Sequence, residues 1–158
     1  MPKAKSAGLL MYRWRGGVLE YFLAHPGGPL FTKKDEGWWG IPKGLLEGDE
    51  DELVAAQREF QEETGIAPAG EFIALGEVVT KSGKRIAAWA FEWTGGELPP
   101  IVSNLFSMEW PPKSGRTQEF PEVDRAQFFG EADALRMIGP AQAPLIERLK
   151  NALSTKQP

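Results

Sequence analysis

The 158-residue chain contains no cysteine. Disulfides, thiolate metal sites and cysteine nucleophiles are therefore excluded, and a reducing compartment suits the protein. There is a single histidine, His25, which weakens any zinc proposal; it reads as a packed or surface side chain ahead of 26-PGGP-29. Positive charge is not in excess either: 18 Lys and Arg face 22 Asp and Glu, for a net charge of −4. That balance disfavours general binding to nucleic acids or anionic membranes, yet leaves room for a local cationic site that takes an anionic ligand. No apolar run reaches the ~18 residues of a membrane span. The start, 1-MPKAKSAGLLMYRWR-15, has charges on both sides of a short apolar run and reads as a strand, not a targeting peptide.

What is present is a core. Apolar residues make up 42% of the chain and six of them are Trp, which fits one domain over residues 1–158, with 154-STKQP-158 as a flexible tail. Strands are expected at 7–13 and 18–26 around 14-WRGG-17, then at 72–80 and 84–93 around Ser82 and Gly83, and a short one at 125–129. Residues 26–44 read as an ordered loop with an extended piece near Trp39–Ile41, and 96–116, with four prolines, as an irregular region. Helices are expected at 131–138 and 140–153, the latter facing inward with Leu145, Ile146, Leu149 and Leu153. The strongest helix follows Asp49, its expected N-cap, with Glu52 three residues on, Leu53, Ala56 and Phe60 on one apolar face, and Gly65 as its stop.

Residues 44–66 carry eight carboxylates. Asp49 and Glu52 fit a helix start. Glu59, Glu62 and Glu63 share one face by helical spacing, with Arg58 one turn before Glu62 and Phe60 turned towards the core. Acids near a helix end oppose its dipole, which argues against a merely solvated face, although that reading stays open on spacing alone. Clustered hard oxygen donors suit Mg2+ or Mn2+, and Mg2+ keeps waters and meets substrate phosphates.

The same stretch resembles the Nudix box: Gly, five residues, Glu, seven residues, then Arg-Glu-apolar-any-Glu-Glu-any-Gly-apolar. Gly44, Glu50, Arg58, Glu59, Phe60, Glu62, Glu63, Gly65 and Ile66 occupy every defined position. The resemblance implies an α/β/α sandwich around a mixed sheet and metal-dependent hydrolysis of a nucleotide phosphoanhydride. It implies Glu59, Glu63 and Glu62 as metal ligands, with Mg2+ or Mn2+ as cofactor. Glu62 either binds metal or orients water, Arg58 orients box carboxylates, and Glu50 is structural or an outer ligand. A small nucleotide is the implied partner, in the cytoplasm, with no oligomeric state specified.

The stretches 6-SAGLLMYR-13, 38-WWGIPKG-44 and 119-EFPEVDRAQFF-129 are similar to a bacterial branch near the diadenosine tetraphosphate hydrolases. That likeness makes Glu122, with Glu119 as runner-up, the candidate acid near the metals and a candidate general base. Lys43, directly before the box, is a candidate phosphate contact, with Arg116 and Lys113 as outer ones. Trp38, Trp39, Phe106 and Trp110 are candidates for stacking on a base, or for packing. The expected substrate is a nucleoside polyphosphate, of which a dinucleoside polyphosphate is one form. The alternatives are a nucleoside triphosphate, a nucleotide-sugar, or nucleotide binding without catalysis.

Overall fold

Only Gly16 and Gly17 separate Arg15 from Val18. Both have positive φ, 58° and 81°, the backbone that a tight two-residue hairpin turn demands. The computed structural model, which describes residues 5–156, accordingly runs β1 (Lys5–Arg15) straight back as β2 (Val18–Pro26).

β1 has neighbours along both sides. Its C-terminal part pairs with β2, from Tyr12–Tyr21 to Arg15–Val18, and its N-terminal part pairs with β3 (Lys43–Leu45), with Gly8 opposite Lys43. On its other side it pairs in parallel with β5 (Arg85–Glu92). β4 (Ile73–Val79) flanks β5 and β8 (Val123–Gly130) flanks β2, both antiparallel, so the sheet is mixed and runs β4-β5-β1-β2-β8. β1 and β2 thus part like a fork, and residues 40–45 lie in the split. Leu9 N–H donates to the Pro42 carbonyl at 3.2 Å on one side, and Ala24 N–H donates to the Gly40 carbonyl at 2.7 Å on the other. The fork is what brings Lys43 and Gly44 up to the acidic helix.

That helix, α1 (Glu52–Thr64), covers one face of the sheet. Ala55, Ala56 and Phe60 are buried against Ala7, Leu9, Met11, Phe22 and Phe91. α2 (Glu131–Met137) and α3 (Ala143–Lys156) cover the other, where Leu145, Ile146 and Leu149 meet Leu10, Tyr21, Leu23 and Trp39. Alternating side chains of β1 feed the two cores in turn, as strand geometry requires. The architecture is the expected α/β/α sandwich around a mixed sheet.

Three local expectations change. The N-cap of α1 is Asp51, not Asp49: its carboxylate accepts from the Leu53 and Val54 N–H groups, both at 3.1 Å. A cap must sit immediately before the first helical residue with extended backbone, and Asp51 does so at φ −61°, ψ 137°. The region 96–116 is not wholly irregular. β6 (Leu105–Glu109) pairs with β7 (Thr117–Pro121) to form a separate two-stranded arm, with Phe106 facing Phe120. The four prolines of 96–116 cluster in the turn and the approach, where they interrupt no ladder. Finally, α3 runs on through Ser154 to Lys156; residues 1–4 and 157–158, the ends of the first strand reading and of the tail, lie outside the described residues.

Candidate functional site

One turn of α1 gathers the box. Glu59, Glu62 and Glu63 project from it towards β3, and Glu122, immediately before β8, comes in from the far side. All four carboxylates, with Gly44, Arg58 and Asn104, line an open cavity of about 510 Å³. Glu63 and Glu122 also border a neighbouring cavity of about 310 Å³, together with Lys43, Trp38, Trp39 and Gln142. The acids predicted to act together are therefore brought together, although they come from segments some sixty residues apart.

Arg58 organises this group. Its guanidinium makes a two-pronged contact with Glu50, Nε to Oε2 and Nη2 to Oε1, both at 2.8 Å. Nη1 donates to Glu59 at 2.8 Å and to Glu62 at 3.2 Å, and Nη2 also reaches the Leu45 carbonyl at 3.2 Å. A planar fork with several donors in fixed directions can satisfy three acids at once, which a lysine cannot. The hydrogen bonds from Arg58 hold Glu50 down at about 2, while Glu50 in turn pushes the Arg58 guanidinium further up. Glu50 is thus the anchor of Arg58, and it does not border the carboxylate cavity.

Gly44 has a steric task. A Cβ there would collide with the Glu59 carboxylate, so glycine lets the acid lie against the β3 backbone. At the other end of the box Gly65, at φ 79°, closes the helix with its N–H on the Gln61 carbonyl.

The electrostatics are unfavourable to negative charge. Burial pushes Glu63 up to about 8; the nearby Lys43 charge opposes this, and Glu59 and Glu122 add repulsion. Burial also raises Glu59, outweighing its bond to Arg58, and raises Glu122 against the pull of Lys43. The Lys43 backbone N–H donates to Glu63 Oε1 at 3.3 Å. Among the described residues no three acids already stand at metal-ligating separation. The donor set nevertheless fits a hard divalent cation: carboxylate oxygens only, with Glu59 and Glu63 partly buried and Glu62 and Glu122 exposed, and open to waters and phosphate that would complete the shell. Glu59, Glu63, Glu62 and Glu122 are the residues that would hold it.

The remaining sequence candidates divide. Lys43 stands at the carboxylates. Glu119 does not: it sits on exposed β7 opposite Ser107. Lys113, Arg116 and Trp110 lie at the far end of the arm, and Arg116 is six extended residues from Glu122, about 20 Å at ~3.3 Å per residue. Trp39 is buried at 3% exposure, with edge contacts to His25 and Phe129 and its Nε1–H on Asp35, so it is wall and core, not a free stacking surface. Trp38 is 46% exposed, beside Phe31 and Lys34. Phe106 packs over Gly28 and Phe120. Two residues at the site carry no local sequence signal. Asn104 donates its N–H to the Glu62 carbonyl at 2.7 Å and accepts from Glu122 N–H at 2.9 Å, and Gln142 accepts from Ile41 N–H at 2.8 Å. Only the fold brings them there.

Comparison with known proteins identifies the family. The family model of the NUDIX domain matches residues 3–149. An 8-oxo-(d)GTP phosphatase of Mycolicibacterium smegmatis is 44% identical over 102 residues, which is 62% of this chain and 29% of that protein, so the match takes in less than a third of the relative's length. Among solved structures, a C. elegans Ap4A hydrolase binary complex superposes with a TM-score of 0.67 at 21% identity, covering 96% of this chain and 98% of that one. The NUDIX domain of Shewanella oneidensis NrtR, complexed with ADP ribose, gives 0.68 at 16% identity, covering 97% and 90%. At these identities the two structures share the fold. No helix among the described residues is long and apolar enough to cross a membrane.

Proposed function

The chain belongs to the NUDIX domain family, and we propose that it is a pyrophosphohydrolase that uses Mg2+ or Mn2+ to cleave a phosphoanhydride in a nucleoside polyphosphate. The observation that carries this reading is the convergence of Glu59, Glu62, Glu63 and Glu122 on one open cavity beside Lys43, with Arg58 intact behind them. A non-catalytic nucleotide binder has no need of four repelling acids. The family's members typically use Mg2+ or Mn2+, and a divalent ion held by these acids would screen the phosphates and activate water.

The protein's own side chains then have distinct tasks. Lys43 meets a phosphate oxygen of the bound nucleotide. Arg58 holds Glu59 and Glu62 in one orientation, so that they need not reorganise during the reaction. Glu62, at the solvent edge of the box, and Glu122, from the later segment, are the two candidates to take the proton of the attacking water. Trp38 offers the exposed ring nearest the smaller cavity, and that cavity has room for about one nucleoside, at the low end of ligand-site volumes.

Two substrate classes follow from different observations. Residues 6–13, 38–44 and 119–129 favour a dinucleoside polyphosphate. The relative named as an 8-oxo-(d)GTP phosphatase, similar over 102 residues, favours a nucleoside triphosphate. One experiment tests the function and separates the classes: a panel of nucleoside triphosphates, dinucleoside polyphosphates and nucleotide-sugars with Mg2+ or Mn2+, products resolved by chromatography. Turnover that disappears with a chelator and with Glu59→Gln is expected. Equal turnover by wild type and that variant would overturn the assignment.

A further inference from the structure

His25 is fully buried, at 0% exposure, and it is one of three buried polar or charged side chains among the described residues. A buried imidazole is costly unless both ring nitrogens are bonded, and here both are. Nε2 lies 2.6 Å from the Lys34 carbonyl, which can only accept, so Nε2–H donates to it. Nδ1 lies 2.7 Å from Asp124 Oδ1, within hydrogen-bond distance.

Asp124 occupies a special place on β8. His25 pairs with Arg125 and Pro26 with Val123, so Asp124 is the extra residue of a bulge. A bulge bends its strand and re-aims what precedes it, and what precedes it here is 121-PEV-123. The other half of the contact is Gly27. Its N–H donates to the Glu122 carbonyl at 2.9 Å, and a Cβ on it would collide with the Pro121 carbonyl oxygen. The stretch 25-HPG-27 is therefore a cradle for 121-PEVD-124. On the opposite side Asn104 ties the Glu122 N–H to the Glu62 carbonyl of α1.

We propose that His25 is a positioning residue for Glu122: through the Asp124 bulge it sets the distance between that carboxylate and the box acids. The inference rests on the functional reading above, in which Glu122 serves the reaction. His25 touches neither substrate nor any of the four acids, and its effect passes through Asp124 and the backbone.

The test uses the full chain and five proteins: wild type, His25→Phe, His25→Gln, Glu122→Gln, and His25→Phe placed in the Glu122→Gln background. Phenylalanine fills the site and removes both bonds; glutamine keeps a donor. Loss of a group that orients a ligand costs about 10–100-fold, so His25→Phe should lower kcat about tenfold or more with KM changed less than about threefold. His25→Gln should recover most of that loss. In the Glu122→Gln background His25→Phe should cost no more than about twofold further, because its route is already cut. Mn2+ titration without nucleotide should show weaker binding in His25→Phe by about fivefold or more. Thermal melts identify a variant that has simply unfolded, and Gly27→Ala then takes its place as the lesion on the same cradle. Full, additive loss in the Glu122→Gln background, or unchanged kcat and Mn2+ affinity in a folded His25→Phe, would overturn the proposal. If wild type turns over no nucleotide, the functional reading fails instead, and the Mn2+ titration alone decides the positioning role.

Discussion

Glu63→Gln removes one negative charge from a place that disfavours it while leaving shape and size almost unchanged. In the metal-free protein the Glu63 carboxyl lies at about 8, against an ordinary value of 4.5. The folded state therefore binds a proton that the unfolded state lacks between about pH 4.5 and pH 8. Below that window Glu63 carries no penalty; as pH rises through it the penalty grows, and above about 8 it is complete. At pH 7 holding the proton costs about 2.5 pH units, or about 3 kcal/mol at 1.36 kcal/mol per unit. Relaxation and water entry reduce this, so about 1–3 kcal/mol is the working range. Glutamine avoids the cost, and its amide oxygen can still accept the Lys43 N–H.

The assay is thermal or urea unfolding in chelator at pH 5 and pH 8. At pH 8 the variant should melt above wild type, by about 3–9 °C for a chain of this size. At pH 5 the two should nearly coincide. Saturating Mn2+ should then reverse the order, because it stabilises whichever protein binds it better, by RT ln(1 + [L]/Kd). A variant that melts at or below wild type at pH 8 without metal would refute the reasoning, since it would show that Glu63 is not held against its preference.

Other outcomes follow from the same geometry. Arg58→Lys should lose about two orders of magnitude in kcat/KM in the nucleotide assay, because a point charge cannot hold Glu50, Glu59 and Glu62 together. Gly44→Ala should weaken Mn2+ binding in calorimetry by displacing the Glu59 carboxylate, while the urea midpoint moves far less than for a core lesion. Phe60→Ala should cost about 3–5 kcal/mol in urea unfolding, since its ring is fully buried against Phe22 and Phe91. Asp51→Ala should cost about 1 kcal/mol and Asp49→Ala much less, in the same measurement, because only Asp51 bonds the first turn of α1.

The difference between Asp51 and Asp49 shows where sequence reading reaches its limit. Helical period, apolar face and Gly65 stop placed α1 to within a turn, because these depend on spacing within one segment. The choice of cap among four consecutive acids depends on backbone angles that composition does not express. The same holds for the site. Glu59, Glu62 and Glu63 were legible together because one helix carries them. The arm was not, because β6 and β7 are short strands of mixed exposure that stabilise each other outside the main sheet. Its geometry places Lys113, Arg116 and Trp110 at the far end of the arm, while Glu122, at its base, meets the box. Trp39 was open by type between stacking on a base and packing, and the fork between β1 and β2 turns its ring into the core beside His25. Aromatic and basic residues are ambiguous by chemistry and are sorted by tertiary position. A cluster of acids on one helical face is costly wherever it is buried, so it carries its functional reading with it; the histidine that aligns the fourth acid acquires its meaning only when 25-HPG-27 meets 121-PEVD-124 across nearly a hundred residues of chain.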